Sequence, residues 1–240
     1  LIEAPVRSGT GLFPETASLP DFFPKISESE TLSLECKPMN PLALSAKRVL
    51  DVILATLGLL VLSPLLLLIA LSIRLTSKGP IIYKSQRIGK NQKPFYMYKF
   101  RTMIPNAEQL RDALCQKENL NEQLFKLKND HRVTPIGRFL RKYSLDEFPQ
   151  LVNVIRGEMS LVGPRPYIPQ ESALFKAPFT ARFSVMPGIT GPWQVGGRSD
   201  LSFQQLCELE LAYVQNWSLW TDALILLKTI PSVLLKKGAY

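Results

Sequence analysis

Val52-Ile53-Leu54-Ala55-Thr56-Leu57-Gly58-Leu59-Leu60-Val61-Leu62-Ser63-Pro64-Leu65-Leu66-Leu67-Leu68-Ile69-Ala70-Leu71-Ser72-Ile73 contains no charged residue. A run of about 20 such residues is long enough to cross a bilayer core. An ordinary transmembrane helix accounts for the length. It does not account for Ser63-Pro64 at mid-run. Pro64 has no N–H for the Leu60 carbonyl, and its ring presses on that carbonyl, so a helix must bend or break there. The freed carbonyl needs a local partner, and the Ser63 hydroxyl is a candidate. Lys47 and Arg48 precede the run, while Arg74 and Lys78 follow it. Cations on both flanks give the positive-inside bias no direction. A helix–break–helix returning to the same face satisfies both facts, and it predicts a re-entrant membrane segment over 45–78.

Upstream, residues 1–44 are punctuated by Pro5, Pro14, Pro20, Pro24, Pro38 and Pro41 and carry no periodicity, as in a linker or loosely docked arm. No basic segment followed by a short apolar run marks a signal peptide. Downstream, residues 79–240 form the remaining domain. Ile81-Ile82-Tyr83 opens one strand of a β-hairpin, Phe95 to Arg101 forms the other, and Gly89-Lys90-Asn91 makes the turn. Alternation places Lys99 and Arg101 on one face with Phe95 and Met97. Helices are predicted over 106–128, about 145–155 and 202–216. A basic cluster of Arg132, Arg138, Arg141 and Lys142 lies between the first two. Trp217 to Leu235 is apolar, with Lys236-Lys237 after it. That segment fits either an amphipathic helix in the membrane interface or a core helix. The fold class is α+β and mostly helical.

Composition narrows the chemistry. The chain has 240 residues, 46% of them hydrophobic and 20% charged, with a net charge of +9. That is a globular balance with a bias toward anionic partners. The three cysteines, Cys36, Cys115 and Cys207, are scattered, which argues against a disulfide framework or a zinc site. His131 is the single histidine. A metal would be held by carboxylates, which points to magnesium.

The run Arg138-Phe139-Leu140-Arg141-Lys142-Tyr143-Ser144-Leu145-Asp146-Glu147-Phe148-Pro149-Gln150 has two readings. Ser144 to Glu147 matches a capping box, with acids favoured in a first helical turn. The same geometry makes a phosphate site, with Arg138 and Arg141 as clamps, one acid as nucleophile and its neighbour on a metal. In Met159-Ser160-Leu161-Val162-Gly163-Pro164-Arg165-Pro166, two prolines restrict the backbone on both sides of Arg165. This is a rigid turn or a preorganised phosphate ligand. In Pro187-Gly188-Ile189-Thr190-Gly191-Pro192-Trp193-Gln194-Val195-Gly196-Gly197-Arg198, Trp193 could stack on a base or sugar, and Arg198 could meet a phosphate.

Taken together and in this order, these runs resemble the monotopic phosphoglycosyl transferases, the bacterial sugar transferase family. The resemblance covers about Ala46 to the C-terminus. It also includes Lys47-Arg48-Val49-Leu50-Asp51, Gly79-Pro80 and Tyr98-Lys99-Phe100-Arg101-Thr102-Met103. It implies a re-entrant helix broken at Ser63-Pro64 and a catalytic dyad at Asp146 and Glu147. Asp146 would attack the β-phosphate of a UDP-sugar, and polyprenyl (undecaprenyl) phosphate would take the phospho-sugar from it. Mg2+ would sit with the dyad, chiefly on Glu147. Lys99, Arg101, Arg138, Arg141 and Arg165 would form the phosphate shell. The location implied is the cytoplasmic face of the bacterial inner membrane, in contact with lipid. His131, Pro192 and Gly196 depart from the family pattern. The hexose and the oligomeric state stay open, a homodimer included.

Two rivals remain. One is direct displacement on the same substrates, with Asp146 only as a metal ligand. The other is a non-catalytic membrane adapter. Nucleic acid is not an expected partner, because the basic residues are not interleaved with aromatics and the apolar run would go unexplained.

Overall fold

The computed structural model describes residues 40–107, 110, 130–197 and 201–234. The predicted 106–128 helix, Arg198 and the arm up to residue 39 lie almost wholly outside them.

A single helix, α1, runs Pro41–Thr76. It begins inside the stretch read as arm. Asn40 caps it by accepting the Leu42 N–H at 3.0 Å, and Pro41 takes the first-turn position where a missing N–H does no harm. Pro64 lies within α1, and helical geometry continues through it. The Ser63 hydroxyl donates to the Leu60 carbonyl at 2.8 Å, supplying the partner that Pro64 cannot. Among the described residues α1 alone is long and apolar enough to cross a membrane, and only 11% of its most apolar stretch is buried in the protein.

Both ends of α1 dock on the globular part. At the start, Lys47 pairs with Asp222 at 2.5 Å, and Arg48 donates to the carbonyls of Val154 and Ile155 at 2.6 and 2.9 Å. Asp51 accepts the Leu161 N–H at 3.1 Å. At the other end, Ile69 and Ile73 pack with Phe100 and Leu140. Between these anchors Leu60, Val61, Leu67 and Leu68 are exposed.

Strands β1 (Ile82–Ile88) and β2 (Pro94–Phe100) form the predicted antiparallel hairpin, with Ile82 opposite Phe100 and Ile88 opposite Pro94. Helix α2 (Pro135–Lys142) follows, then a 3-10 turn at Leu145–Glu147 and α3 (Gln150–Arg156). Short strands β3 (Ser160–Val162) and β4 (Gly188–Thr190) pair in parallel. A Cβ on Gly163 would meet the Met186 carbonyl at 2.3 Å, and one on Gly188 the Gly163 nitrogen at 2.1 Å. These glycines therefore let two backbones of the protein close on each other. Between the strands lie α4 (Pro169–Ser172) and a 3-10 segment at Phe179–Ser184. Beyond β4 come α5 (Pro192–Gly196), α6 (Phe203–Gln215) and α7 (Leu219–Leu234). Val162, Leu209, Tyr213 and Ile225 form the core where β3, α6 and α7 meet. Trp220, Leu227 and Ile230 on α7 are exposed.

Candidate active site

The two acids sit on the 3-10 turn rather than in a regular helix. Ser144 adopts a left-handed backbone (φ 54°) and makes no side-chain cap. Its carbonyl, not its hydroxyl, accepts the Glu147 N–H at 3.2 Å. The capping box read from the sequence is therefore absent. A left-handed residue carries the chain out of the helical path, so the Ser144 side chain cannot face the next turn's amides. The helix N-terminus expected at the acids is replaced by this tight turn after α2.

The turn separates the acids. Asp146 is 8% exposed. Burial pushes its carboxyl above the usual range, Glu147 adds to that, and Lys99 and Arg141 oppose it. Among the described residues no side chain hydrogen-bonds the Asp146 carboxylate. Glu147 instead takes Lys99 Nζ at 2.7 Å and lies 3.8 Å from Arg165 Nη1.

The cations arrive from three directions. Lys99 comes from β2, with Met97 and Phe95 on the same face as expected. Arg141 ends α2, and its Nε donates to Thr102 Oγ1 at 2.9 Å. The contact depends on Gly137, where a Cβ would lie 2.0 Å from the Thr102 carbonyl. Arg165 projects from the turn after β3, with its guanidinium 4.9 Å from the Trp193 ring centroid. Arg165 thus occupies one face of the indole that was expected to stack on a base or sugar.

Two members of the expected shell make no contact with the acids among the described residues. Arg101 follows the end of β2, and its Nη2 donates to the Ser77 carbonyl and hydroxyl at 2.8 and 2.7 Å. It ties the hairpin to the end of α1, where helix carbonyls favour a cation. Arg138 is exposed and makes no side-chain contact to the acids among the described residues. In the basic cluster, Arg132 is buried and forked onto Asp130 at 2.8 and 2.7 Å, which makes it structural.

Arg87 on β1 was missed. It feels both Arg165 and Glu147 electrostatically, and burial is the largest influence lowering its pKa. Nothing local distinguishes it among the cations of the hairpin. Only the fold places it near the acids.

Among the described residues no group of three or more His, Cys, Asp or Glu side chains gathers to hold a metal. Two adjacent carboxylates nevertheless fit magnesium, which is commonly held by one or two carboxylates and substrate phosphates. Asp146, with its oxygens free of side-chain partners, suits such a role.

Residues 42–236 match the family model described as bacterial sugar transferase. The chain belongs to this family of transferases. Among curated relatives it is 40% identical over 232 residues to the "Exopolysaccharide production protein ExoY" of Rhizobium meliloti (strain 1021), covering 94% of this chain and 97% of that one. It is 41% identical over 198 residues to the "Undecaprenyl-phosphate galactose phosphotransferase" of Salmonella typhimurium, covering 81% of this chain and 41% of the relative. It is also 41% identical over 218 residues to the "Undecaprenyl-phosphate glucose phosphotransferase" of Komagataeibacter xylinus, covering 86% and 39%. The chain therefore spans nearly all of the first relative and about two-fifths of the longer two.

Proposed function

We propose that this chain transfers a sugar 1-phosphate from a UDP-sugar to undecaprenyl phosphate through a covalent intermediate on Asp146. The observation that carries the reading is the division of labour on one turn. Glu147 is held by Lys99 and Arg165, while the Asp146 carboxylate is buried and takes no side-chain hydrogen bond. A nucleophile needs an uncommitted lone pair, and a carboxylate with a raised pKa is more basic once ionised. Lys99 and Arg141 favour that ionised form. The names of the longer relatives, which print undecaprenyl phosphate with galactose or glucose, support the acceptor and a hexose, and the UDP-linked donor follows from the resemblance.

In the first step an Asp146 oxygen attacks the β-phosphorus. The bond from that phosphorus to the bridging oxygen breaks, and UMP leaves with the oxygen. In the second step an oxygen of the lipid phosphate attacks the same phosphorus. Asp146 regains its electron pair, and a polyprenyl-diphospho-sugar departs. Glu147, with Asp146, would hold Mg2+, which supplies charge neutralisation on the diphosphate. Lys99, Arg141 and Arg165 orient the phosphoryl oxygens.

The same proposal places α1 in the membrane as a re-entrant segment, with both ends on the cytoplasmic side of the bacterial inner membrane. Ala55 shares a packing cluster with Met97, and Ile73 shares one with Phe100. Met97 and Phe100 lie roughly 10 Å apart along a strand. Ala55 and Ile73 would be roughly 27 Å apart along a straight helix. A bend at Ser63-Pro64 reconciles these separations, with the exposed middle of α1 in lipid. The exposed apolar side chains of α7 would rest in the interface.

Incubation with magnesium and a phosphate-labelled UDP-sugar, without lipid, tests the chemistry. Label should remain on the protein, with about one UMP released per active site, as a covalent two-step route requires. An active preparation that forms no adduct favours direct displacement. No UMP from any UDP-sugar, even with lipid, favours the adapter.

A further inference from the structure

We infer that Arg182 and Glu210 are positioning residues that fix Arg165 in the active site. What Arg165 does there rests on the transferase reading; where it is held does not. Arg182 belongs to the 3-10 segment before β4, and Glu210 belongs to α6. They are 5% and 1% exposed, and Arg182 Nη1 lies 2.9 Å from Glu210 Oε2. A buried ion pair is a poor stability device, because desolvating both charges offsets most of their attraction. The reason for this one is better sought in what else it touches.

Both partners grip the main chain of a single residue. Glu210 Oε1 accepts the Arg165 N–H at 3.1 Å. Arg182 Nη2 donates to the Arg165 carbonyl. Pro164 and Pro166 restrict the chain on either side. Arg182 is itself caged, with its guanidinium 4.1 Å from the Phe175 ring centroid and 4.6 Å from that of Tyr167. With its backbone held at both polar groups, Arg165 extends its side chain over Trp193 and toward Glu147. Neither Arg182 nor Glu210 is exposed enough to meet substrate. They act through Arg165.

The test uses the full chain in lipid nanodiscs and the double variant Arg182→Met/Glu210→Leu. Removing both charges together leaves no orphaned ion, so the fold should persist. The first readout is the Trp193 indole N–H resonance, assigned with Trp193→Phe. In the double variant it should move to the position seen in Arg165→Ala. The second readout is UMP release, which should fall by about 100-fold, the scale of an ångström-level misplacement. Adding Arg165→Ala to the double variant should bring no further loss. A Trp193 resonance at its wild-type position overturns the inference, and so does a triple variant whose losses multiply. If the double variant does not fold, Arg182→Lys provides the same readouts. It keeps a charge against Glu210 but removes the fork that also reaches Arg165. If the wild-type chain releases no UMP from any UDP-sugar, the transferase reading falls, and the Trp193 resonance alone decides the positioning.

Discussion

Asp146 and Glu210 are both buried carboxylates, and burial pushes both upward from the usual carboxylate range. Their surroundings differ. Glu210 lies within a long helix, and its oxygens are met by a guanidinium and a backbone N–H. Asp146 sits on a three-residue turn and takes no side-chain hydrogen bond among the described residues. Buried polar groups that only support a fold are normally partnered. A buried acid served only by a backbone hydrogen bond, with no side-chain partner, weakens the fold, and the sites where proteins accept that are commonly functional. The contrast is the one that the proposed chemistry at Asp146 requires, and it is drawn without reference to any relative.

Asp146→Asn should have the largest effect. It keeps the shape and removes the charge, so label transfer to the protein should vanish and turnover should fall on the order of a thousandfold or more. The same variant should be more stable. A raised folded pKa means that the Asp146 contribution is fully present at low pH and is lost as pH rises through the folded value. At neutral pH, Asn removes that loss. Without magnesium and substrate the gain should be about 1 kcal/mol by chemical denaturation, and the pH slope above the ordinary carboxylate range should flatten. A variant both inactive and less stable would break the contrast with Glu210.

Arg141→Lys should come next. The ammonium cannot reproduce a guanidinium that bonds Thr102 while keeping further donors toward the acids. A lost charge-assisted contact of about 2 kcal/mol corresponds to a roughly 30-fold loss in kcat/KM. Wild-type kinetics in this variant would remove Arg141 from the phosphate shell.

The sequence made the hairpin and the α1 run legible because each is a local pattern. Gly89-Lys90-Asn91 punctuates two strands, and Ser63-Pro64 leaves one carbonyl whose nearest hydroxyl is Ser63. The start of α1 was not legible, because the prolines around Asn40-Pro41 give the segment the look of an arm. The capping box failed because its spacing says nothing about the left-handed backbone of Ser144. Arg101 went astray because β2 ends before it, so strand alternation no longer aims its side chain. Arg87, Arg182 and Glu210 escaped for a different reason. Their partners are far away in sequence, and no local spacing announces a long-range contact.

Pro64→Leu carries the contrast into the membrane. It restores an N–H for the Leu60 carbonyl and removes a residue that costs a helix interior about 3 kcal/mol, so it should favour a straight span. Cysteine labelling at the two ends of α1 should then report opposite compartments, where the wild-type chain should report one. Identical labelling in both chains would show that Pro64 does not set the topology.

Ser63→Ala should have the smallest effect, and it tests whether a partnered group is only architecture. The Leu60 carbonyl has one side-chain donor, the Ser63 hydroxyl at 2.8 Å. Alanine removes it, and Pro64 offers no N–H in its place. A neutral hydrogen bond contributes about 1 kcal/mol net, and the cost is higher where no water can replace the donor. The expected result is a modest fall in thermal stability in nanodiscs, with unchanged adduct formation and unchanged labelling at both ends of α1. The sharper measurement is the pair. Once Pro64→Leu has restored the amide donor, adding Ser63→Ala should cost almost nothing, because the carbonyl is already served. If Ser63→Ala is equally costly in both backgrounds, the hydroxyl does something other than satisfy Leu60. If it abolishes the adduct while stability holds, Ser63 belongs with Asp146 on the chemical side of the contrast.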